Sequence, residues 1–367
     1  MHLTLVIAEL GVGGAERVLT TLAHEWITQG HEVTVLTLDD GAVPPFFALD
    51  PCVRHRPLAL ARPSHHPLIG LVRNLQRIRA LRHALLACHP QLVIAFMDQT
   101  NVLTLCATVG LALPVIITEH TDPVPARLPR LWQLLRRLTY PWAAQLIVLN
   151  ASMLDYFSPQ VRKHSRVIPN PIIKPPTAPL SQATGLHNHS ILLAMGRLVE
   201  LKGFDHLLRA WSKVASHHPA WVLEIWGEGP CRTALETLAR QLELGDQLRL
   251  PGLTPDAYRT MHRADLFVAT SHYEGFSLVL AEAMACGLPV VSFDCPSGPR
   301  ELIRDGVNGL LVPNGDIDAL SRTLDHLMRH PAARQKLASR APELLDRFGV
   351  GSVMAQWDTL IKELVAP

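Results

Sequence analysis

Long apolar runs are missing from this chain. A membrane-crossing helix needs ~18 or more apolar residues without breakers, and no window supplies them; the nearest, 102–118, is interrupted by Gly110 and Pro114 and predicts a helix followed by a strand. The opening MHLTLVIAEL has neither a basic leader segment nor a small-residue cleavage site, so it predicts a first strand and not a secretory signal. The six cysteines (Cys52, Cys88, Cys106, Cys231, Cys286 and Cys295) form no CxxC pair and no metal-ligand spacing. That argues against a disulfide framework or a zinc module and fits a reduced, cytoplasmic setting. Charged residues are only 18% of the chain against 48% hydrophobic, a balance that excludes disorder and coiled coil. Aromatics are only 5%, and none interleave with the arginines at stacking spacing, which argues against nucleic acid as a partner.

What is present is a repeating alternation. A length of 367 residues suggests two domains. Short apolar runs at 3–8, 32–38, 92–96, 115–118 and 145–149 are each followed by a helical or loop segment. The pattern restarts at 191–195, 221–226, 247–250, 266–270, 290–293 and 309–312. Apolar strands spaced by helices describe parallel βαβ units buried on both faces. Between the halves, residues 168–181 (IPNPIIKPPTAPLS) carry five prolines and no periodicity, and read as a linker. The expected fold is α/β, two doubly wound Rossmann-like domains facing a cleft, divided as 1–172 and 173–352. In such sheets ligands bind beyond the carboxyl ends of the strands.

Charge is uneven although the net is +2. Residues 51–140 hold eleven arginines against three acids, a local balance of +8, whereas residues 1–50 hold one arginine against seven acids. A basic field of this kind suits phosphates, a diphosphate or a membrane surface.

Strand-end loops carry the candidate chemistry. The strand 191–195 runs into GRLVELKG at 196–203, where two glycines admit close backbone approach. Arg197 can grip two oxygens in a fork and Lys202 supplies a point charge, a set that suits a diphosphate; a solvated basic loop would carry the same residues. Farther on, SHYEGFS at 271–277 leads into a helix, with Glu282 eight residues after Glu274. Small residues and backbone N–H groups at the start of that helix favour an anion. Glu282, inside the apolar LVLAEAMACG, needs a partner, so it is either a ligand for sugar hydroxyls or half of a structural ion pair. The N-terminal GVGGAER at 11–17 breaks the dinucleotide GxGxxG pattern at Glu16. His120, in TEHT, ends the strand 115–118.

Together, GRLVELKG, the Glu274-x7-Glu282 pair in HYEGFSLVLAEAMACGLPVV, DGVNGLLVPNGD and GVGGAERVL resemble the retaining GT-B glycosyltransferases of family 4 (group 1). The resemblance covers nearly the whole chain. It implies a nucleotide-sugar donor, with Arg197 and Lys202 on its diphosphate and Glu274 near its sugar. It also implies Glu282 on the ribose, and Phe276, Ser277, Leu278 and Val279 cradling sugar and phosphate through their N–H groups. Gly14 would line the donor side, and His120 would touch the transferred sugar or the reacting oxygens. A closing helix at 353–367 would return to the first domain. No cofactor or metal is implied, since the two cations supply the positive charge.

The segment 127–142, RLPRLWQLLRRLTYPW, has leucines at 131, 134, 135 and 138 in helical register with arginines beside them. Basic amphipathic helices with tryptophan bind interfaces or anionic head groups; an ordinary core helix with a solvated face would show the same spacing. AFMDQTN, TEH, RRLTYP and DCPSGPREL resemble bacterial polyprenyl-diphosphate-glycan N-acetylgalactosaminyltransferases. That resemblance implies Arg130, Arg136 and Arg137 on a lipid-linked diphosphate. The expectation is therefore transfer of a hexose or N-acetylhexosamine, GalNAc favoured, from a UDP-sugar to a lipid-linked glycan. The enzyme would sit peripherally on the cytoplasmic face of the inner membrane, in surface polysaccharide, lipopolysaccharide or glycoprotein glycan assembly. The alternatives are a nucleotide-sugar epimerase of the same fold, or a non-catalytic sugar-binding or membrane-associated protein.

Overall fold

The computed structural model describes residues 1–60, 67–121, 128–176 and 189–365. Arg62, Asp122, Arg127 and residues 177–181 of the proline-rich stretch lie outside the described residues. The chain divides into two units, Met1–Pro171 with the chain from Gly351, and Ile172–Val350.

The first unit holds seven strands: β1 (His2–Ile7), β2 (Glu32–Thr37), β3 (Arg54–Pro57), β4 (Leu92–Phe96), β5 (Val115–Thr118), β6 (Gln145–Val148) and β7 (Ser165–Val167). They form one parallel sheet in the order β3-β2-β1-β4-β5-β6-β7. The second unit holds β8 (Ser190–Met195), β9 (Trp221–Trp226), β10 (Leu248–Gly252), β11 (Leu266–Ala269), β12 (Val290–Asp294) and β13 (Leu310–Pro313). These are also parallel, in the order β10-β9-β8-β11-β12-β13. Both units are doubly wound, and both reverse strand order beside their first strand. The central strands are buried along their length, as apolar runs covered by helices on both faces must be. Two edge strands, β3 and β7, have no apolar run to announce them: RHRP is largely exposed and SRV half-buried, and only pairing with β2 and β6 makes them strands.

The first unit's sheet is covered by α1 (Gly14–Thr28), α2 (Pro67–Cys88), α3 (Asp98–Thr108) and α4 (Arg130–Thr139), and local chemistry explains those that matter for the site. In α1 (Gly14–Thr28), Ala15, Val18, Leu19, Leu22, Ala23 and Trp26 are buried at helical spacing. The helix ends at Gln29, and Gly30 follows at φ 83°, the left-handed turn that glycine takes without strain. The C-terminal helix Val350–Val365 packs on this same unit, with Trp357 edge-on to Trp26 at 5.7 Å and 88°. Gln29 donates to Asp358 at 3.2 Å, and Arg166 pairs with Glu363. Among the described residues no helix is long and apolar enough to cross a membrane.

Candidate active site

In the second unit, β8 and β11 are neighbours at the point where strand order reverses. Loops leaving the carboxyl ends of such strands diverge and leave room for a ligand. The loop after β8 is held close to its own sheet by glycines. A Cβ on Gly227 would stand 1.8 Å from the carbonyl oxygen of Gly196, and one on Gly229 would stand 2.4 Å from that of Leu198. Both sit at positive φ, 152° and 159°, so no side chain fits there by space or by backbone. Hydrogen bonds from Gly196 N to Trp226 O and from Leu198 N to Glu228 O, both 2.9 Å, fix the approach. The turn 226–230 (WGEGP) was not singled out in the sequence, although a glycine pair just past a strand end is the signal that marks it.

This loop carries Lys202 to the carboxylate of Glu274. Nζ lies 2.5 Å from Oε1 of Glu274, with the side chains only 18% and 13% exposed. Ser271 donates its hydroxyl to the same Oε1 at 2.7 Å. Backbone contacts join the two loops as well: Thr270 Oγ1 donates to Lys202 O at 2.9 Å and His272 N to Leu201 O at 2.9 Å. Gly203, at φ 59°, passes so close that a Cβ would lie 2.2 Å from Thr270 O. On the other side, Ser297 donates to Glu274 O at 2.6 Å, and a Cβ on Gly298 would stand 2.8 Å from the Cβ of Glu274. Glu274 is therefore fixed from three segments. Arg197 lies in the same loop as Lys202 but is exposed, and its guanidinium has no hydrogen bond or ion pair among the described residues.

Past Glu274, Phe276 is buried edge-on to Phe348 at 5.5 Å, and Ser277 is buried at the start of the helix Leu278–Ala285. Leu278 and Val279 are half-buried in its first turn, where backbone N–H groups have no carbonyl partner within the helix. Glu282 is only 4% exposed, on the fifth residue of that helix. The structure thus gathers Arg197, Lys202, Glu274 and the 276–282 segment in one unit, at the ends of adjacent strands.

The remaining residues lie in the first unit. Glu16, the residue that breaks the GxGxxG pattern, folds back over Gly13, where a Cβ would stand 2.1 Å from Oε2. Glu16 is the third residue of α1 and Gly13 its N-cap, the arrangement in which a glutamate covers the free N–H groups of a helix start. Gly14 opens the helix and is exposed. His120 stacks on Phe96 at 5.4 Å and 16°, with Nε2 3.0 Å from Thr118 Oγ1. Burial pushes its imidazole down to about 4, against a contact with Asn170 that raises it.

Next to His120 is a buried network absent from the sequence reading. Glu119 is 3% exposed and accepts from the Tyr140 hydroxyl; Asn101 Nδ2 donates to the same hydroxyl at 3.2 Å and to Thr118 O at 3.0 Å. Arg136 Nη1 lies 3.9 Å from Glu119 Oε1, and its guanidinium covers the Tyr156 ring at 4.6 Å. Burial pushes the Glu119 carboxyl up to about 7, against Arg136 and the Tyr140 hydrogen bond, which lower it.

That network corrects the reading of the basic segment. In α4 (Arg130–Thr139), Arg136 is 4% exposed and faces inward with Thr139. Leu131, Leu134 and Leu138 are 59%, 54% and 55% exposed, and Trp142 is 56% exposed. The helix turns Leu131, Leu134 and Leu138 outward, with Leu135 half-buried, because Glu119, Tyr140 and Tyr156 offer a buried guanidinium its partners. Arg136 is therefore an internal residue and does not share the surface with Arg130 and Arg137, which are exposed.

Comparison with known proteins agrees with the sheet topology. The family model for "Glycosyltransferase Family 4" matches residues 12–173, and that for "Glycosyl transferases group 1" matches 180–344. An exopolysaccharide phosphotransferase of Streptomyces coelicolor is 30% identical over 97% of this chain, which spans only 40% of that protein's length. The Campylobacter jejuni GalNAc-α-(1→4)-GalNAc-α-(1→3)-diNAcBac-PP-undecaprenol α-1,4-N-acetyl-D-galactosaminyltransferase is 28% identical, over 99% of both chains. The crystal structure of Anabaena HepE, in complex with UDP and glucose, superposes with a TM-score of 0.83 at 21% identity, over 98% of this chain and 99% of that one. The fold is GT-B, and the chain belongs to the family 4, group 1 glycosyltransferases.

Proposed function

We propose that this protein is a retaining glycosyltransferase that moves a hexose or N-acetylhexosamine, GalNAc favoured, from a UDP-sugar to a polyprenyl-diphosphate-linked glycan. The observation that carries the reading is the Lys202–Glu274 pair at 2.5 Å, fixed in the loops after β8 and β11, with the exposed Arg197, unpaired among the described residues, in the same loop as Lys202. A cation held beside a carboxylate is suited to a donor whose diphosphate and sugar lie next to each other. Lys202 and Arg197 stabilise the charge that develops on the leaving diphosphate. Glu274, whose Oε1 is taken by Lys202 and Ser271, turns Oε2 to the sugar hydroxyls. The backbone N–H groups of 276–279, at the start of the helix Leu278–Ala285, cradle sugar and phosphate, and Glu282 takes the ribose.

Retention follows from attack on the face the diphosphate leaves. The acceptor hydroxyl gives its proton to the departing diphosphate oxygen while its own oxygen bonds to the anomeric carbon. The protein supplies fixed positive charge, which acts most strongly in a water-poor site. His120 is held neutral by its burial and hydrogen-bonds as a neutral ring, so it does not serve as a proton donor at neutral pH. The GalNAc preference and the lipid-linked acceptor rest on the similarity to the Campylobacter transferase and on the motif resemblance.

The acceptor side is the exposed face of α4. Arg130 and Arg137 take the lipid diphosphate, and Leu131, Leu134, Leu138 and Trp142 rest in the membrane interface, so the enzyme is peripheral. Label transfer from UDP-GalNAc, UDP-GlcNAc, UDP-glucose and GDP-mannose into the lipid-extractable fraction of bacterial membranes tests the whole reading. Lysine-dependent labelling from one UDP-sugar is expected. Silence from all four in the presence of acceptor lipid overturns it, and donor hydrolysis or epimerisation without labelling replaces it with the epimerase.

A further inference from the structure

A cluster of metal-ligating side chains lies beside the Lys202–Glu274 loops and has no part in the chemistry above. Asp205 and His206 sit in the first turn of the helix Phe204–Ser212, and His272 follows β11 in the loop that carries Glu274. One ligand atom from each of the three lies within 4.8 Å of the other two. The two imidazoles meet edge to face at 4.9 Å and 82°, and His206 Nε2 is 3.8 Å from Asp205 Oδ2.

Three features separate this cluster from a chance meeting of polar residues. His272 is fixed through its backbone at both ends: its N–H donates to Leu201 O at 2.9 Å, and its carbonyl accepts from Asn314 Nδ2 at 3.1 Å. His206 packs edge-on to Phe293 at 6.2 Å, and its Nδ1 is buried with no hydrogen-bond partner among the described residues. An imidazole whose ring nitrogen is buried without a partner loses the hydrogen bond that water gave it in the unfolded chain. The other side is open, since His206 and Asp205 are 28% and 47% exposed and a hydrated ion can reach them.

We propose that Asp205, His206 and His272 form a binding site for a divalent transition-metal ion of the zinc class. Two imidazoles and one carboxylate suit Zn²⁺, Co²⁺ or Ni²⁺, whereas Mg²⁺ and Ca²⁺ favour all-oxygen sets. Ligand bonds of about 2.0–2.2 Å bring donor atoms closer together than 4.8 Å, so binding draws the helix start and the β11 loop slightly together. The fourth position is left to water. No ligand spacing is visible in the sequence because the three residues come from two segments that only the β8–β11 pairing brings together. The ion ties the segment after Lys202 to the segment before Glu274, which makes it a clamp on the two loops.

The test uses the full chain, stripped with a chelator and titrated with Co²⁺, then Zn²⁺. The expected result is a visible Co²⁺ band that saturates at one equivalent and is displaced by Zn²⁺, with a rise in unfolding midpoint as Zn²⁺ is added. H206Q and H272Q, which keep side-chain bulk, each lose the band and weaken Zn²⁺ by about tenfold or more, and D205N weakens it less. H326Q is the control for the stacked His326–His330 pair, whose rings lie 4.3 Å apart on another helix, and it keeps the band. Three results overturn the proposal: no band and no Zn²⁺ shift in the wild type, both persisting in H206Q and H272Q, or loss of the band in H326Q alone.

Discussion

Lys202 and Glu274 meet at 2.5 Å although 72 residues separate them in sequence, because β8 and β11 are adjacent in the sheet. Each is mostly buried, so neither charge is tolerated alone. Lys202→Ala lowers the transfer rate on the order of 10²–10³-fold, the usual loss when one preorganised stabilising group is removed. It also lowers the unfolding midpoint, because Glu274 is left without its cation. Arg197→Ala lowers the rate without that loss of stability, since Arg197 is exposed and unpaired among the described residues. Steady-state kinetics beside thermal unfolding separate the two. Near-normal turnover in Lys202→Ala would remove the diphosphate assignment.

Much of this was legible before the fold was known, and the reason is physical. Parallel strands buried on both faces must be apolar along their length, so the inner strands of both sheets announce themselves, and the edges β10 and β13 are still marked by their leucines. The edges β3 and β7 do not, because exposure relaxes the demand on their side chains. Arg197, Lys202 and Glu274, the residues proposed for the donor, sit in strand-end loops with glycines, a local signal, and that signal survives in sequence. The orientation of α4 does not. Leucines at helical spacing promise a buried stripe, but which face turns inward depends on Glu119 and Tyr140, which lie on other segments.

Arg136 and Arg137 are adjacent in sequence and opposite in environment. Arg136→Ala leaves buried Glu119 without its guanidinium and costs up to about 3–5 kcal/mol where Glu119 is ionised, the usual range for breaking a buried pair by one partner, and less at lower pH, where the carboxyl takes a proton. Arg137→Ala, on the exposed side, stays within about 0.5 kcal/mol. Arg137→Ala weakens use of the lipid-linked acceptor, which a soluble-acceptor control does not feel. Denaturant unfolding of both variants decides the matter; equal stability would put Arg136 back on the surface.

Glu119 and His120 titrate in opposition. Burial raises the Glu119 carboxyl from 4.5 to about 7, so the folded state holds a proton that the unfolded chain has lost, and stability falls as pH rises through that interval. Burial lowers His120 from 6.5 to about 4, so the folded state refuses a proton that the unfolded chain accepts, and stability falls as pH drops through that interval. Between 4.5 and 6.5 the two slopes oppose each other. Glu119→Gln unmasks the histidine: stability then climbs with pH across this window, by at most about 1.4 kcal/mol per pH unit. His120→Gln unmasks the glutamate, and stability declines with pH. Urea midpoints across the window check both; curves parallel to wild type in both variants would show that neither group is perturbed.

The outward leucines of α4 carry the last prediction. Leu131, Leu134 and Leu138 each stand more than half exposed, with Trp142 just beyond the helix and Arg130 and Arg137 beside them. Exposed leucines contribute little to folding, but each one transferred into a lipid interface gains roughly 1 kcal/mol, given that about half of it is already covered by protein. An arginine near an anionic surface adds about 1 kcal/mol more. The triple variant L131S/L134S/L138S therefore keeps its unfolding midpoint and loses vesicle binding by about tenfold or more. Raising salt weakens wild-type binding to anionic vesicles only in part, because the arginines are screened and the leucines are not. Sedimentation with vesicles of anionic and of neutral lipid reads both components. If the triple variant binds like wild type, the membrane contact lies elsewhere; if its midpoint drops, the leucines pack against protein and the exposed face is not a membrane face.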